Sequence, residues 1–237
     1  MMRKLAPLLL AAVLALVTAG CGSSSNNDGA NAPSAIPESS APSSQPSATA
    51  SHSSEPSAGS AGDNTAQPSG SSEQALKDAA STIVELLRDR DLGTLSDWVD
   101  PGQGLRFSPY SHIDTAGSQL FQADKLPDFK DTAKLQWGTA DGSGEPILLT
   151  FRDYYEKYVY NQDFADAPNV SVNALVGQGT TAFNAAEVYP GSSYVEFHFP
   201  GFDEKAEGMD WQSLVLVFVP AGEEWKLVSV VHGQWTI

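Results

Sequence analysis

Residues 211–237 read WQSLVLVFVPAGEEWKLVSVVHGQWTI, and this stretch decides the fold. Trp211 to Val219 and Trp225 to His232 are two runs of β-branched and aromatic residues, joined by the short connection Pro220-Ala221-Gly222-Glu223. A third such run, Tyr194 to Phe199, precedes them. Runs of this composition separated by turn residues predict strands of an antiparallel sheet. Trp235 to Ile237 are expected to extend the last strand.

Upstream of the sheet the period changes. Thr150 followed by Asp153 is a capping-box variant that opens a helix from 151 to about 160, with Phe151, Tyr154, Tyr155, Tyr158 and Val159 on its apolar face. Leu76, Ala79, Ala80, Ile83, Val84 and Leu87 recur at helical spacing, so 73–89 is read as a helix capped by Ser72. Asp91 caps a shorter helix with Leu92, Leu95 and Val99 on one face, ended by Pro101-Gly102. Short strands are expected at Gly104–Ser108, Ser118–Gln122, Leu135–Thr139 and Val172–Val176, with a turn at Asp141–Gly144 and a helical turn near Pro127. Early helices, a middle helix and long C-terminal strands make an α+β fold.

The N-terminal third has a different character. Met1 to Lys4 give a short positive start, Leu5 to Val17 are almost wholly apolar, and small residues lead to Cys21, as in a secretory signal. Cys21 is the only cysteine of the 237 residues, which excludes an internal disulfide and nucleophilic cysteine chemistry in the folded part. Residues 22–71 contain no Lys, Arg or aromatic residue and only Ile36 as a large aliphatic. Such a stretch cannot bury enough apolar area to offset the entropy of ordering, so a disordered linker over 21–71 is expected, His52 included. About 50 flexible residues reach roughly 40 Å. All five tryptophans and all seven tyrosines fall after residue 72, which sets the folded domain at 72–237.

The net charge of -16 repels phosphate backbones and excludes nucleic acid as a partner. No Walker loop, GxSxG elbow, HExxH or CxxC occurs.

Three histidines remain as candidate functional residues in the domain. His112 lies in Ser108-Pro109-Tyr110-Ser111-His112-Ile113-Asp114, a proline-bearing loop. There it serves either as a base oriented by Asp114 or as part of a hydrogen-bond network that fixes the loop. Glu196 and His198 share one strand face, and His232 is on the last strand. Projected into one cavity, His198 and His232 would hold a ligand; apart, they are a buried and an exposed structural histidine. Tyr110, His112, His198 and His232 are the ligand-binding candidates. Trp211, Trp225 and Trp235 line a pocket mouth or serve as core and cap. The acidic loop with Asp203, Glu204, Glu207 and Asp210 lacks the calcium-loop ligand order. No metal, cofactor or catalytic residue is assigned.

Three resemblances add to this reading. Val17-Thr18-Ala19-Gly20-Cys21 resembles the bacterial lipoprotein lipobox, with Thr18 where the family carries Leu, Val or Ile. The resemblance implies cleavage after Gly20 (signal peptide 1–20), acylation of Cys21, and anchoring to the cell membrane on its extracytoplasmic face. Two acyl chains hold firmly where one holds only marginally. The element order over roughly 75–237, with Asp91-Leu92-x-x-Leu95 leading to Asp100-Pro101, is similar to the NTF2-like (cystatin-like) cone, a bent antiparallel sheet wrapped around N-terminal helices. Arg106–Tyr110, Trp137–Ile147, Pro200–Trp211 and Val231–Ile237 resemble an uncharacterised family of bacterial lipoproteins, which brings no activity with it. The expectation is a non-enzymatic module that binds a small molecule or an envelope protein. The alternatives are an envelope-assembly protein without ligand and a pocket enzyme using His/Asp acid-base chemistry.

Overall fold

The computed structural model describes residues 70–236; the expected signal peptide, Cys21, His52 and the linker as far as residue 69 lie outside the described residues. In chain order the elements are α1 (Gly70–Arg88), α2 (Leu92–Leu95), β1 (Leu105–Ser108), β2 (Gln119–Phe121), β3 (Leu135–Thr139), β4 (Pro146–Leu149), α3 (Phe151–Tyr158), β5 (Asn169–Val172), α4 (Ala185–Val188), β6 (Ser193–Phe199), β7 (Gln212–Ala221) and β8 (Glu224–Gln234).

Helix α1 forms because its six periodic apolar residues, Leu76 to Leu87, bury one face. It takes in residues 70–72, so Ser72 is a first-turn residue and not the N-cap read from the sequence. At its other end Arg90 adopts φ 58. The Asp91 amide bonds Leu86 O at 2.9 Å and the Arg90 amide bonds Leu87 O at 3.1 Å, the two bonds of a Schellman closure. Asp91 then caps α2, its carboxylate accepting the Thr94 amide at 3.0 Å. α2 is shorter than the spacing through Val99 predicts, because the chain tightens to 3-10 geometry at Ser96–Trp98 and Val99 bridges Leu227 instead. α3 opens as expected. Thr150 Oγ1 accepts the Asp153 amide at 3.2 Å and donates to the Asp153 carboxylate at 2.8 Å. Its aromatic face is buried, and the Tyr155 hydroxyl donates to Leu87 O, docking α3 on the end of α1.

Six strands form one sheet in the order β2-β1-β8-β7-β6-β5, and β3 with β4 makes a separate hairpin. The three C-terminal strands pair antiparallel as read from the sequence. A fully antiparallel sheet is corrected in one place: β1 pairs parallel with β8, from Arg106↔Ser229 to Ser108↔Val231. A bulge between Val217 and Phe218 shifts the β7–β8 register and bends the ribbon. β8 ends at Gln234, so Trp235 and Thr236 do not extend it.

Both faces of the sheet are covered, which explains the unbroken apolar run Leu214 to Val219. Leu214, Leu216, Phe218, Leu227 and Val230 face α1, α3 and Trp137 in the main core. Val215, Val217, Val219, Val228 and Val231 face the opposite way, under Ile113, Ala185 and Tyr189. This second layer comes from the 173–192 segment, including α4, which the sequence reading did not anticipate. β5 is displaced three residues from the expected 172–176. Asn173 turns to φ 51 and ends the strand, and its side-chain carbonyl accepts the Tyr194 amide at 2.9 Å. β4 was likewise not anticipated.

Candidate functional site

The parallel register of β1 against β8 ends at Ser108↔Val231 and delivers the following loop to the edge of the main core. Ser108 is buried, and its hydroxyl lies 2.8 Å from Tyr110 O and 3.1 Å from His112 O, which pins the loop. The Ile113 amide donates to Asn184 Oδ1 at 2.8 Å, tying the far end of the loop to the second layer. Opposite stands the β3–β4 turn, closed by Ala140 N to Glu145 O at 2.7 Å and Gly144 N to Ala140 O at 2.8 Å. Across the gap the Asp141 amide donates to the Tyr110 hydroxyl at 3.2 Å. Between loop and turn lies a cleft of about 410 Å³, within the range of small-molecule sites, whose walls include Tyr110, His112, Asp114, Trp137, Asp141 and Thr181.

Tyr110 and His112, two of the four sequence candidates, therefore meet in one cleft. His112 is exposed on the rim. Tyr110 is half-buried, and burial raises its hydroxyl pKa against the opposing bond from the Asp141 amide.

Behind the rim the rings continue inward. Tyr110 meets Tyr158 edge-on at 6.0 Å, and Tyr158 meets His232 edge-on at 5.8 Å. Trp137, a cleft residue, stacks on Tyr154 at 4.0 Å and 13°. His232 is fully enclosed, and burial pulls its pKa down to about 4, so the imidazole is neutral at physiological pH. Its Nε2 sits 3.2 Å from Gln234 Oε1, which assigns the ring proton to Nε2. His232 Nδ1 and the Tyr154 hydroxyl are both buried without a hydrogen-bond partner.

His198 lies elsewhere. His198 pairs with Ser213 and His232 pairs with Leu214. Adjacent residues of β7 point to opposite faces, so the two histidines are on opposite sides of the sheet. The single cavity that would join them is not formed. On the outer face His198 Nδ1 is 2.9 Å from Ser213 Oγ, and Ser213 Oγ donates to Glu196 Oε1 at 2.7 Å. With the serine proton given to the carboxylate, Nδ1–H must be the donor to Ser213. The arrangement thus runs in the wrong direction for a Ser-His-acid nucleophile, in which the histidine accepts from the serine. Burial lowers the His198 pKa, with Glu196 opposing. Glu196 also accepts the amides of Val176 and Gly177 and the Ser171 hydroxyl, so the cluster holds the 173–192 segment on the sheet.

The remaining candidates resolve into local structure. His112 and Asp114 both line the cleft, but the Asp114 carboxylate accepts the Ala116 amide at 2.9 Å and shapes its own turn. Trp211 is buried against His198, Trp225 is half-buried, and Trp235 is exposed. In the acidic loop Asp210 accepts the amides of Phe202 and Asp203, and these bonds lower its pKa. Among the described residues no group of three or more His, Cys, Asp or Glu is placed to hold a metal ion. The sequence reading did not mark Trp137, Tyr154, Asp141 or Thr181 as site residues, because they reach the cleft region only through the β3–β4 hairpin, α3 and the 173–192 segment, which are distant in the chain from the Tyr110 loop.

Among the described residues no helix is long and apolar enough to cross a membrane. No protein-family model matches the chain, and no curated protein matches it. Among solved structures the chain is similar to a designed NTF2-like protein, at 11% identity, over 69% of this chain and 99% of that one, with a TM-score of 0.28.

Proposed function

We propose that the chain is a lipid-anchored extracytoplasmic protein whose folded domain, an NTF2-like cone, binds a small molecule without transforming it. Export and anchoring rest on the sequence: the signal at 1–20, the lone Cys21 after Ala19-Gly20, and the low-complexity linker. Binding rests on one observation, the cleft between the Tyr110 loop and the Asp141 turn. Its walls combine aromatic surface with a few polar groups, the usual make-up of a ligand site.

A binding role is favoured over acid-base catalysis by the fate of the three histidines. A general base must reach the substrate proton directly or through one water. His112 stands at the rim with its neighbouring Asp114 engaged in its own turn. His232 is sealed behind Tyr158, and His198 faces the other side of the sheet.

Anchoring is tested by growing cells that express the full chain with an alkyne fatty acid. The protein is expected to label and to fractionate with membranes, and Cys21→Ser is expected to abolish both. Label retained by Cys21→Ser overturns the anchor assignment. Binding is tested by native mass spectrometry of the detergent-extracted chain, where a non-covalent mass in addition to the acyl groups is expected.

A further inference from the structure

We infer that a second cleft, between Trp98 and Trp225, takes a linear aliphatic polyamine, whose ammonium groups meet carboxylates from three elements while its methylene chain lies on the two indoles. This cleft is separate from the one beside Tyr110. Trp225 stands at the start of β8, whereas the Tyr110 loop leaves β1 where Ser108 pairs with Val231, toward the end of β8.

The walls give the first restriction. The cleft measures about 570 Å³, within the range of small-molecule sites. Ala75 and Ala79 of α1 line it together with the half-buried rings of Trp98 and Trp225. Trp225 Nε1 donates to Ser72 O at 3.3 Å, which fixes that ring against the first turn of α1. Carboxylates reach the same cleft from α1 (Asp78), from the 3-10 turn Ser96–Trp98 (Asp97) and from the β7–β8 turn (Glu223). Lys226, the only base among the described residues that line it, is already committed: its Nζ lies 3.1 Å from Asp97 O and 3.2 Å from Glu224 Oε2. Asp78 accepts a neutral donor, Gln74 Nε2 at 2.8 Å, and among the described residues no ion pair reaches Asp97 or Glu223. Asp78, Asp97 and Glu223 together set up a negative potential in the cleft that draws in cations and expels anions.

The spacing of the carboxylates gives the second. Among the described residues no group of three or more His, Cys, Asp or Glu is placed to hold one metal ion, so these carboxylates suit a cation whose charge is spread along its length. A polyamine carries ammonium groups separated by short methylene runs, and each ammonium brings donors for a carboxylate. The runs between them are apolar and suit the indoles and the two alanines, and an ammonium near an indole face is attracted to it. A quaternary ammonium has one charge and no donor, so it would leave the separated carboxylates unserved. Asp78, Asp97 and Glu223 are exposed, so the ligand exchanges with solution and has to be supplied to the purified chain.

The test is calorimetry with spermidine, putrescine, choline and magnesium chloride at matched ionic strength, on the full chain in an uncharged detergent. The indole N–H resonances of Trp98 and Trp225 are followed alongside. Spermidine is expected to bind saturably and to shift both resonances. Putrescine should bind more weakly, and choline and magnesium should shift neither. Asp97→Asn and Glu223→Gln remove charge from exposed positions, and each should weaken spermidine by about two- to fivefold, the worth of one exposed ion pair. Glu187→Gln removes the same charge from α4, away from the cleft, and should leave the affinity unchanged. Choline bound as tightly as spermidine overturns the polyamine class. Magnesium shifting the two resonances as spermidine does, or Glu187→Gln weakening spermidine as much as the cleft variants, overturns the site and reduces the effect to the charge of the whole surface. The absence of saturable spermidine binding overturns the inference outright.

Discussion

Glu196→Gln should destabilise the domain strongly even though it removes no ring, no apolar area and no backbone group. Glu196 is 1% exposed and its two oxygens take three donors outright and share a fourth, because the Ser171 hydroxyl donates chiefly to Ala174 O at 2.6 Å. Oε1 accepts the Gly177 amide at 3.0 Å and Ser213 Oγ at 2.7 Å, and Oε2 accepts the Val176 amide and Ser171 Oγ at 3.3 Å. A carboxamide in the same place keeps one acceptor oxygen and turns an NH₂ toward the other pair of donors. The hydroxyl of that pair can rotate and accept, but the backbone amide cannot. Whichever way the amide lies, one of the Val176 and Gly177 amides is left buried and facing a donor. An orphaned buried donor costs about 1–3 kcal/mol, and the surviving bonds lose the strengthening of a formal charge, which sets the loss at about 2–3 kcal/mol after the relief of desolvating the carboxylate. For a domain of this size that lowers Tm by about 4–12 °C. Urea unfolding followed by tryptophan fluorescence at pH 7 reads the loss. Amide exchange at Val176 and Gly177 localises it, because these amides should lose protection beyond the global change. An unchanged midpoint with unchanged protection at both amides would refute the assignment of Glu196 as the anchor of the 173–192 segment.

Three further outcomes are expected. His232 is held near pKa 4 in the fold against about 6.5 when unfolded, so its stabilising contribution is complete above pH 6.5 and is lost as pH falls toward 4, by up to about 3 kcal/mol; His198, also lowered, acts with the same sign. Urea midpoints measured between pH 7 and 4 should fall, and His232→Leu should flatten that slope. Gly177→Ala would place a Cβ 2.5 Å from Trp211 Cζ3 and 2.8 Å from Ser213 Oγ, so it should cost about 1–3 kcal/mol in the same assay and perturb the Trp211 resonances. Thr150→Ala removes the cap that accepts the Asp153 amide and should cost about 1 kcal/mol, with faster exchange confined to the first turn of α3.

The sequence reveals what depends on local pattern. Leu76 to Leu87 and Phe151 to Val159 announce helices because a helix needs only its own period to show a buried face, and the apolar residues at that period in both stretches are buried. The β7–β8 hairpin is legible because its two runs adjoin one short turn. What was missed depends on partners distant in the chain. The β1–β8 parallel ladder joins residues more than 120 positions apart and has no local sign. β4 is four residues, Pro146 to Leu149, whose faces alternate in burial, but Pro-Ile-Leu-Leu holds no polar residue that would show the alternation in the sequence. The end of β5 was set by Asn173 bonding the Tyr194 amide, which shifted the strand from its apolar residues toward Asn169.

The candidate site divides in the same way. Tyr110 and His112 were recognisable as a loop pair because Pro109 stands beside them. The separation of His198 from His232 followed only from the β6–β7–β8 register, where a one-residue offset decides the face. Trp137 and Asp141 joined the cleft because the β3–β4 hairpin, outside the main sheet, folds its turn against the Tyr110 loop.

The central claim, that the cleft beside Tyr110 holds a small molecule, is tested most directly by native mass spectrometry of the full chain extracted from the membranes of its producing cells, beside a Tyr110→Ala variant prepared in the same way. The account predicts one non-covalent mass per chain that is lost on denaturation and is absent or sharply reduced in the variant. A chain mass accounted for by polypeptide and acyl groups alone, identical in both proteins, would contradict it.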